Sequence, residues 1–347
     1  MAPIPERTAS LAVLVLIACG PTPEGSADAA PRNDGGGVAM GDVGRSDAGG
    51  SLEAGSADGG APEGERVHLE LDDGTELSGE LVAEYDHSRW WWMASDEVTR
   101  ALFRADLLAP WPDDRSTSFV ASSRVVRLWR EPLPESTPRF RDAMRARGLV
   151  LGRVPIDGVV HVVAGHERHH LEESGYGDFA WDLVRTDAAG ARYTGDGTSN
   201  EDYLIWDAEV FIPVRGYVVE VERDQPDSLP GATGLDRVNN LVGVQVFGGY
   251  YFYFLHFRQG SIPAEIAVGS VLEAGAYLGR VGNSGVSIEP HLHLTAMALD
   301  RDAMPSRLWS VPSEHADVWV ATSPTGPARR AEHHDPTSGE WISSEPF

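Results

Sequence analysis

The sequence predicts a mostly β protein with two folded domains. Short segments of alternating apolar and polar residues recur through residues 66–131, and turn residues separate them about every ten positions. A second series of strand-like segments follows residue 151. The chain of 347 residues is long enough for two domains, and its hydrophobic fraction of 41% is large enough to form their cores.

Changes in composition along the chain indicate where the domains begin and end. The predicted divisions, in order, are a signal peptide at 1–19, a disordered tether at 20–65, a small β-barrel domain at 66–131, a linker at 132–150, a larger β domain at 151–325 and a C-terminal tail at 326–347. The tether is rich in Gly, Ala, Pro, Ser and Asp, and it has too few large apolar side chains to offset the entropy of ordering it.

The charge balance excludes one class of partner. Acidic residues outnumber basic residues 53 to 28, which gives a net charge of −25. Nucleic acids and anionic lipid surfaces attract proteins through Lys and Arg, so an excess of carboxylates opposes binding to them. We therefore expect no nucleic-acid partner.

The N-terminus has the features of an export signal. Residues 11–18 (LAVLVLIA) are apolar and directly precede Cys19, but they are too few to span a bilayer. The segment ending in Cys19 resembles the lipobox of bacterial lipoproteins, in which the cysteine is lipidated after cleavage. This resemblance implies an exported protein that is lipid-anchored in the cell envelope. Gly20 favours the outer membrane, facing the periplasm, if the source is Gram-negative; the alternative is an ordinary signal peptide with an incidental cysteine.

The first β domain is predicted to be a small barrel of the SH3-like or Sm-like kind. Residues 67–71 and 77–82 alternate on either side of an Asp-Asp-Gly turn, which is typical of a hairpin. Trp90, Trp91 and Trp92 follow, and successive strand residues point to opposite faces. At least one of them is therefore expected at a surface or interface, and packing against the second domain is favoured over a ligand-binding platform.

The second domain contains an expected β-hairpin and two further strands. Residues 241–247 and 250–257 are strand-like and are separated by Gly248-Gly249, a strong signal for a two-residue turn. Residues 211–221 and 288–297 have the composition of strands. A helix is predicted at residues 139–147, before this domain.

Histidines and one aspartate of this domain form the chemically informative pattern. His291 and His293 are two residues apart, so in a strand both imidazoles point to one face. His256 ends an aromatic strand, and Asp182 lies between Trp181 and Leu183 in an apolar segment. A buried carboxylate is costly unless its charge is compensated, and a metal ion compensates it well.

Together, these segments resemble the lysostaphin/LytM-type zinc endopeptidases between about residues 155 and 297. The resemblance also includes the glycine turns at 282–285 and the Glu289-Pro290 step before His291. It implies an antiparallel β-sheet or sandwich of the duplicated hybrid motif type, with one Zn²⁺ per chain. It further implies that Asp182 and His293 bind the zinc, that His256 and His291 are the catalytic pair, and that the substrate is a peptide cross-link of peptidoglycan.

The first zinc ligand departs from the usual family pattern. In most members a histidine lies four residues before the aspartate, but position 178 is itself Asp here. Some relatives have a longer loop between the two ligands, and the segment before Asp182 looks like theirs. His170 is then the first candidate for this ligand, followed by His169 and His166. Surface or capping roles are expected for the histidines of the C-terminal extension, at positions 315, 333 and 334.

Two other functions remain as alternatives. Some LytM-type domains have lost ligands and instead bind and activate another cell-wall hydrolase, and the irregular first ligand is consistent with such a regulator. The second alternative is a binding lipoprotein in which the Trp90–Trp92 domain contacts peptidoglycan or an envelope protein and the zinc is structural. The presence of Asp182 and three candidate site histidines favours the enzyme.

Overall fold

The structure is a computed structural model of the chain, and only part of the chain is described. The described residues are 65–85, 90–98, 115–121, 124–135, 139–146, 150–166, 177, 179–232, 238–247, 250–300 and 307–347. The expected signal peptide, Cys19 and nearly all of the tether lie outside them, as do His169 and His170. Among the described residues, no helix is long and apolar enough to cross a membrane.

The described residues 65–132 include an antiparallel sheet of five strands. These are β1 (Glu65–Leu71), β2 (Glu76–Tyr85), β3 (Trp90–Val98), β4 (Arg115–Ala121) and β5 (Val125–Pro132). They are arranged in the order β4-β3-β2-β1-β5, and the alternation predicted for β1 places Val67, Leu69 and Leu71 in a small core. The described residues form an open path from β4 to β5, so closure of this sheet into a barrel stays a prediction.

A short helix joins the small sheet to the rest of the protein. Helix α1 (Phe140–Ala146) lies within the helix expected from the sequence. The buried carboxylate of Glu80 on β2 accepts a hydrogen bond from the backbone N–H of Phe140 at 2.8 Å, which satisfies a donor that the first turn of the helix leaves unpaired. At its other end, Arg145 donates two hydrogen bonds, of 2.5 and 2.9 Å, to the buried carboxylate of Glu314.

The second domain is built on a sheet of eleven antiparallel strands. They are β6 (Val160–Ala164), β7 (Ala180–Val184), β9 (Gly216–Glu222), β10 (Leu241–Phe247), β11 (Tyr250–Leu255), β12 (Val271–Leu272), β14 (Leu292–Asp300), β15 (Arg307–Ser310), β16 (His315–Ala321), β17 (Arg329–His334) and β18 (Trp341–Ser343). The order is β12-β9-β10-β11-β14-β7-β6-β18-β16-β17, with β15 also paired to β14. Two shorter strands, β8 (Glu209–Phe211) and β13 (Tyr277–Arg280), form a separate ladder.

The predicted hairpin is confirmed, but two strand boundaries differ from the prediction. Strands β10 and β11 pair on either side of the Gly-Gly step. The strand expected at residues 211–221 is divided into β8 and β9, and Pro213 lies in the break, where its ring removes a backbone donor. The strand expected from residue 288 begins at Leu292, directly after Pro290 and His291.

The C-terminal residues belong to the large sheet. Within the segment expected as a tail, β17 pairs with β16, and β18 lies between β16 and β6. Ile342 of β18 is buried in the main core and pairs with Val160. The apolar residues in this segment are few and widely spaced, which explains why their pattern indicated a tail.

His315 and His334 are buried rather than at the surface, where the sequence placed them. His334 Nε2 lies 2.8 Å from the carboxylate of Glu340. His315 packs against the edge of Trp181, and within the described residues neither of its ring nitrogens has a hydrogen-bond partner. Burial, and to a smaller extent the charge of His334, lowers the pKa of His315 to about 3.

We expect the folded state to lose stability as the pH falls from 6.5 towards 3. In this window the unfolded chain protonates His315 while the folded chain does not, which shifts the balance towards unfolding by up to about 1.4 kcal/mol per pH unit. The variant His315→Leu should therefore show a shallower pH dependence of the free energy of unfolding, measured by urea titration at several pH values. Val318→Ala on the same strand is the control, and it should lower stability equally at every pH. An unchanged slope in His315→Leu would contradict the assignment.

Candidate metal centre

The register between β7 and β14 places Asp182 directly opposite His293. Asp182 Oδ1 lies 3.0 Å from His293 Nδ1, and both side chains are buried. Because a carboxylate only accepts hydrogen bonds, the ring must carry its proton on Nδ1 in this contact. A metal ion bound by both residues would take the place of that proton.

His256 reaches the same place from the end of β11. Strand β11 ends at Leu255, which pairs with His293, and His256 follows with a φ of +67°. This left-handed backbone is uncommon for residues other than glycine, and it turns the imidazole out of the strand direction. His256 Nδ1–H donates to the carbonyl oxygen of Ser284 at 2.8 Å, which leaves Nε2 as the acceptor of the neutral ring.

His291 precedes β14 and is oriented by the chain around it. Its Nδ1–H donates to the carbonyl oxygen of Glu289 at 2.8 Å, and its Nε2 lies 3.5 Å from Asp182 Oδ1. The hydroxyl of Ser287 also donates to the Glu289 carbonyl, at 2.9 Å. The side chain of Glu289 forms an ion pair with Arg192, on the loop that follows β7. The carbonyl of Glu289 therefore fixes which nitrogen of His291 faces the aspartate.

The three histidines form a group that can hold a metal ion. One ring nitrogen from each of His256, His291 and His293 lies within 4.8 Å of the others, and all three residues are buried. The Asp182 carboxylate is in contact with two of these rings. Imidazole nitrogen and carboxylate oxygen are the ligands that zinc takes in catalytic sites, so the donor set fits this metal. The structure thus brings together four candidate site residues of the sequence analysis, Asp182 and the three histidines.

The pKa values of His256 and His291 are shifted in opposite directions by their surroundings. Burial, together with the charges of His291 and His293, lowers the pKa of His256 well below its ordinary value. Burial also lowers the pKa of His291, but the charge of Asp182 and hydrogen bonds to Asp182 and Glu289 raise it above the ordinary value overall. His291 is thus the stronger proton acceptor, and His256 is held neutral.

The third candidate for the first ligand lies away from this group. The ring of His166 stacks on Trp181 with centroids 4.3 Å apart, and burial lowers its pKa to about 3. Trp181 and Asp182 are neighbours in β7, so their side chains point to opposite faces of the sheet. His166 is therefore on the Trp181 side, and the remaining candidates, His169 and His170, are outside the described residues.

The turn that supports His256 is held by residues that the sequence analysis missed. Asp227 accepts the backbone N–H of Asn283 at 2.7 Å. The buried amide of Asn283 donates to Asn200 and to the carbonyl of Ser228, at 3.0 Å each. In the sequence, Asp227 only follows a loop proline. Its role in holding the turn becomes visible in the fold, where Asp227 pairs with Ser284.

Comparisons with known proteins give weak similarities. No protein-family model matches the chain, and a search of curated proteins found no match either. Similar solved structures include a lytM chain from Ruminococcus gnavus, at 20% identity and a TM-score of 0.32. Others are a zinc containing peptidase from Vibrio cholerae, at 18% and 0.28, and the catalytic domain of the antimicrobial peptidase lysostaphin from Staphylococcus simulans, at 21% and 0.18.

The matched regions are partial. The Ruminococcus match covers 49% of this chain and 61% of the matched chain. The corresponding values are 52% and 46% for the Vibrio match, and 30% and 80% for the lysostaphin match. This chain thus spans less than two thirds of the Ruminococcus and Vibrio chains. The TM-scores are too low to assign an activity.

We expect the glycine turn to tolerate no side chain at position 285. Gly285 has a φ of +76°, and a Cβ there would lie 1.8 Å from Asn239 Oδ1 and 2.7 Å from its Cα. Gly260 also has a positive φ, of +69°, but has open space where a Cβ would lie. Gly260→Ala should cost about 1–2 kcal/mol for the backbone alone, and Gly285→Ala should cost a further ~1–3 kcal/mol for the overlap. Urea titration measures the free energy of unfolding of both variants. Equal losses in the two variants would show that the structure relaxes to relieve the overlap at position 285.

Proposed function

We propose that the protein is a zinc-dependent hydrolase that cleaves peptide cross-links of bacterial peptidoglycan. The observation that carries this proposal is the group of three buried imidazoles, two of which contact the buried carboxylate of Asp182. The same four residues are the ones to which the LytM-type resemblance gives site roles. The choice of peptidoglycan rests on that resemblance together with the lipobox-like segment at Cys19, which would place the protein in the cell envelope.

Asp182 and His293 are the proposed zinc ligands, with a first ligand from the His169–His170 segment. When bound, a zinc ion would lower the pKa of a bound water from about 15.7 towards 7 and polarise the substrate carbonyl. His291 accepts the proton of the attacking water at Nε2, since Nδ1 is committed to the Glu289 carbonyl. A general base of this kind typically contributes about 10²–10⁴-fold.

His256 is the second proposed catalytic residue. Its Nδ1–H is committed to Ser284, so only Nε2 can face the substrate. Stabilisation of an oxyanion by this atom requires a second proton on the ring, which burial disfavours. The neutral ring therefore begins the reaction as an acceptor, and it becomes a donor to the oxyanion only after it takes up a proton from the water or from His291.

We expect the purified protein to bind about one zinc per chain and to release peptides from peptidoglycan. His293→Ala should lose both zinc and activity, because it removes a ligand. His291→Ala should keep zinc and lose at least about 100-fold in kcat, because it removes the base alone. Metal analysis by mass spectrometry and chromatography of released muropeptides measure the two properties.

The outcomes of this experiment separate the competing assignments. Loss of zinc in His291→Ala would show that His291 is a ligand, as the three-histidine group allows. Zinc bound without cleavage of any peptidoglycan type would favour the regulator that activates another hydrolase. Near-normal activity in His291→Ala would overturn the proposed mechanism.

We further propose that a lipid on Cys19 anchors the protein in the cell envelope. With a tether at 20–65, whose typical end-to-end distance is roughly 35–40 Å, the folded part could reach the adjacent wall. The variant Cys19→Ser should move from the membrane fraction to the soluble periplasmic or secreted fraction, while its zinc content stays the same. Fractionation followed by immunoblotting measures this, and Ser10→Ala in the same segment is the control. Membrane retention of Cys19→Ser would contradict the anchor.

A further inference from the structure

Two backbone carbonyls orient the proposed catalytic histidines, and both belong to the short segment 283–289. The carbonyl of Ser284 accepts the Nδ1–H of His256, and the carbonyl of Glu289 accepts the Nδ1–H of His291, at 2.8 Å each. Each bond leaves Nε2 as the nitrogen that can take part in chemistry. The backbone of this segment must therefore be held in place for both rings to keep their orientation.

Arg192 binds the end of the segment that orients His291. Its guanidinium donates a hydrogen bond to the carboxylate of Glu289 and forms an ion pair with it. A hydrogen bond between two charged groups is stronger than one between neutral groups. The residue that Arg192 holds by its side chain is the same residue whose carbonyl holds the ring of His291. Arg192 can therefore act on this ring through Glu289, without touching the ring itself.

Asn200 binds the other end of the segment. Its side-chain oxygen accepts a hydrogen bond from the side-chain amide of Asn283 at 3.0 Å, and its own amide donates to the carbonyl of Ser228 at 2.7 Å. All three residues are buried, where a lost hydrogen bond leaves a polar group unsatisfied at a cost. Asn283 directly precedes Ser284, whose carbonyl orients His256. Asn200 thus stands to His256 as Arg192 stands to the other ring.

Both anchors belong to one paired loop between β7 and β8, and we call its residues 192–204 the clamp loop. The backbone N–H of Thr194 donates to the carbonyl of Asp202 at 2.9 Å. The N–H of Leu204 donates to the carbonyl of Arg192 at 3.0 Å. The two limbs of the loop are thus joined by backbone hydrogen bonds, so the loop can hold both ends of the segment as one unit.

We propose that the clamp loop positions the two catalytic histidines, with Arg192 orienting His291 and Asn200 orienting His256. Both act through the backbone of residues 283–289, so they are positioning residues. The effect on turnover rests on the proposed hydrolase, whereas the effect on the two rings does not. Partners that orient the histidines of metal sites are typically worth about 10–100-fold in affinity or activity.

Kinetics of muropeptide release by the zinc-loaded protein tests the effect on turnover. The Arg192 side chain is 40% exposed, so Arg192→Gln should fold. Its kcat should fall about 10-fold or more. Its KM and zinc content should stay the same, because a group that orients a catalytic residue acts on the chemical step. Arg192→Lys keeps the charge opposite Glu289 and should retain most of the activity.

Arg215→Gln is the matched control for this experiment. Arg215 also forms an exposed ion pair, with Glu273 at 2.9 Å. These two residues flank β9 and β12, at one edge of the large sheet and away from β14. The control variant should therefore keep the kcat of the unmutated protein.

Nuclear magnetic resonance of the zinc-loaded protein reports on the two rings without turnover. An Nδ1–H proton in a buried hydrogen bond exchanges slowly with water and gives its own signal, and His291→Ala and His256→Ala assign the two signals. Arg192→Gln should speed the exchange of the His291 proton about 3–10-fold, the factor to which the net contribution of one hydrogen bond corresponds. It should leave the His256 proton unchanged. Asn200→Ala should have the opposite pattern.

The two measurements keep this inference separate from the proposed catalysis. If no peptide is released but each variant speeds exchange at its own histidine, the clamp is supported and the proposed hydrolase is in error. Unchanged exchange of the His291 proton in Arg192→Gln would overturn the inference, as would an equal loss of kcat in Arg215→Gln. If the buried substitution Asn200→Ala prevents folding, the exposed Arg192 variants decide the outcome alone.

Discussion

The pairing of β7 with β14 is the constraint on which the rest of the site depends. It sets Asp182 opposite His293 in the middle of the large sheet, and β11 on the other side of β14 delivers His256. Side chains alternate along a strand, so a slip of one residue in this register would turn the aspartate to the other face. The positions of Asp182, His256 and His293 therefore depend on three adjacent strands, while the proposed first zinc ligand belongs to the segment between β6 and β7.

That register also determines which side chains compensate the buried charge of Asp182. An unpaired carboxylate in this position would cost several kcal/mol, and contacts with the imidazoles of His291 and His293 compensate it. On the opposite face of β7, Trp181 packs in the apolar core and the stacked His166 stays neutral. Strand β7 thus has a polar, chemically active face at Asp182 and an apolar face at the preceding residue, Trp181.

The sequence predicted the parts of this arrangement that have a local signal. The spacing of His291 and His293, the apolar surroundings of Asp182 and the Gly-Gly hairpin all follow from patterns a few residues long. The pairing of β18 with β6 joins residues 341 and 161, and no short pattern reports a contact at that separation. The same applies to Asp227, whose partners are Asn283 of the glycine turn and Gln259, and to Glu314, whose arginine partners are on α1. Pairing across the fold decides these positions, so only the three-dimensional structure reveals them.

The position of β18 has a consequence for how the domain is completed. The strand is one of the last segments of the chain, yet it covers the edge of β6, which in turn flanks β7. Until residues 341–343 have been synthesised, β6 presents an unpaired edge of backbone donors and acceptors, and such edges promote association between chains. Contacts of such long range also form slowly. A chain that ended before β18 would keep all four residues of the metal centre but would carry an open sheet edge. Its first defect would then be aggregation, with loss of chemistry as a secondary result.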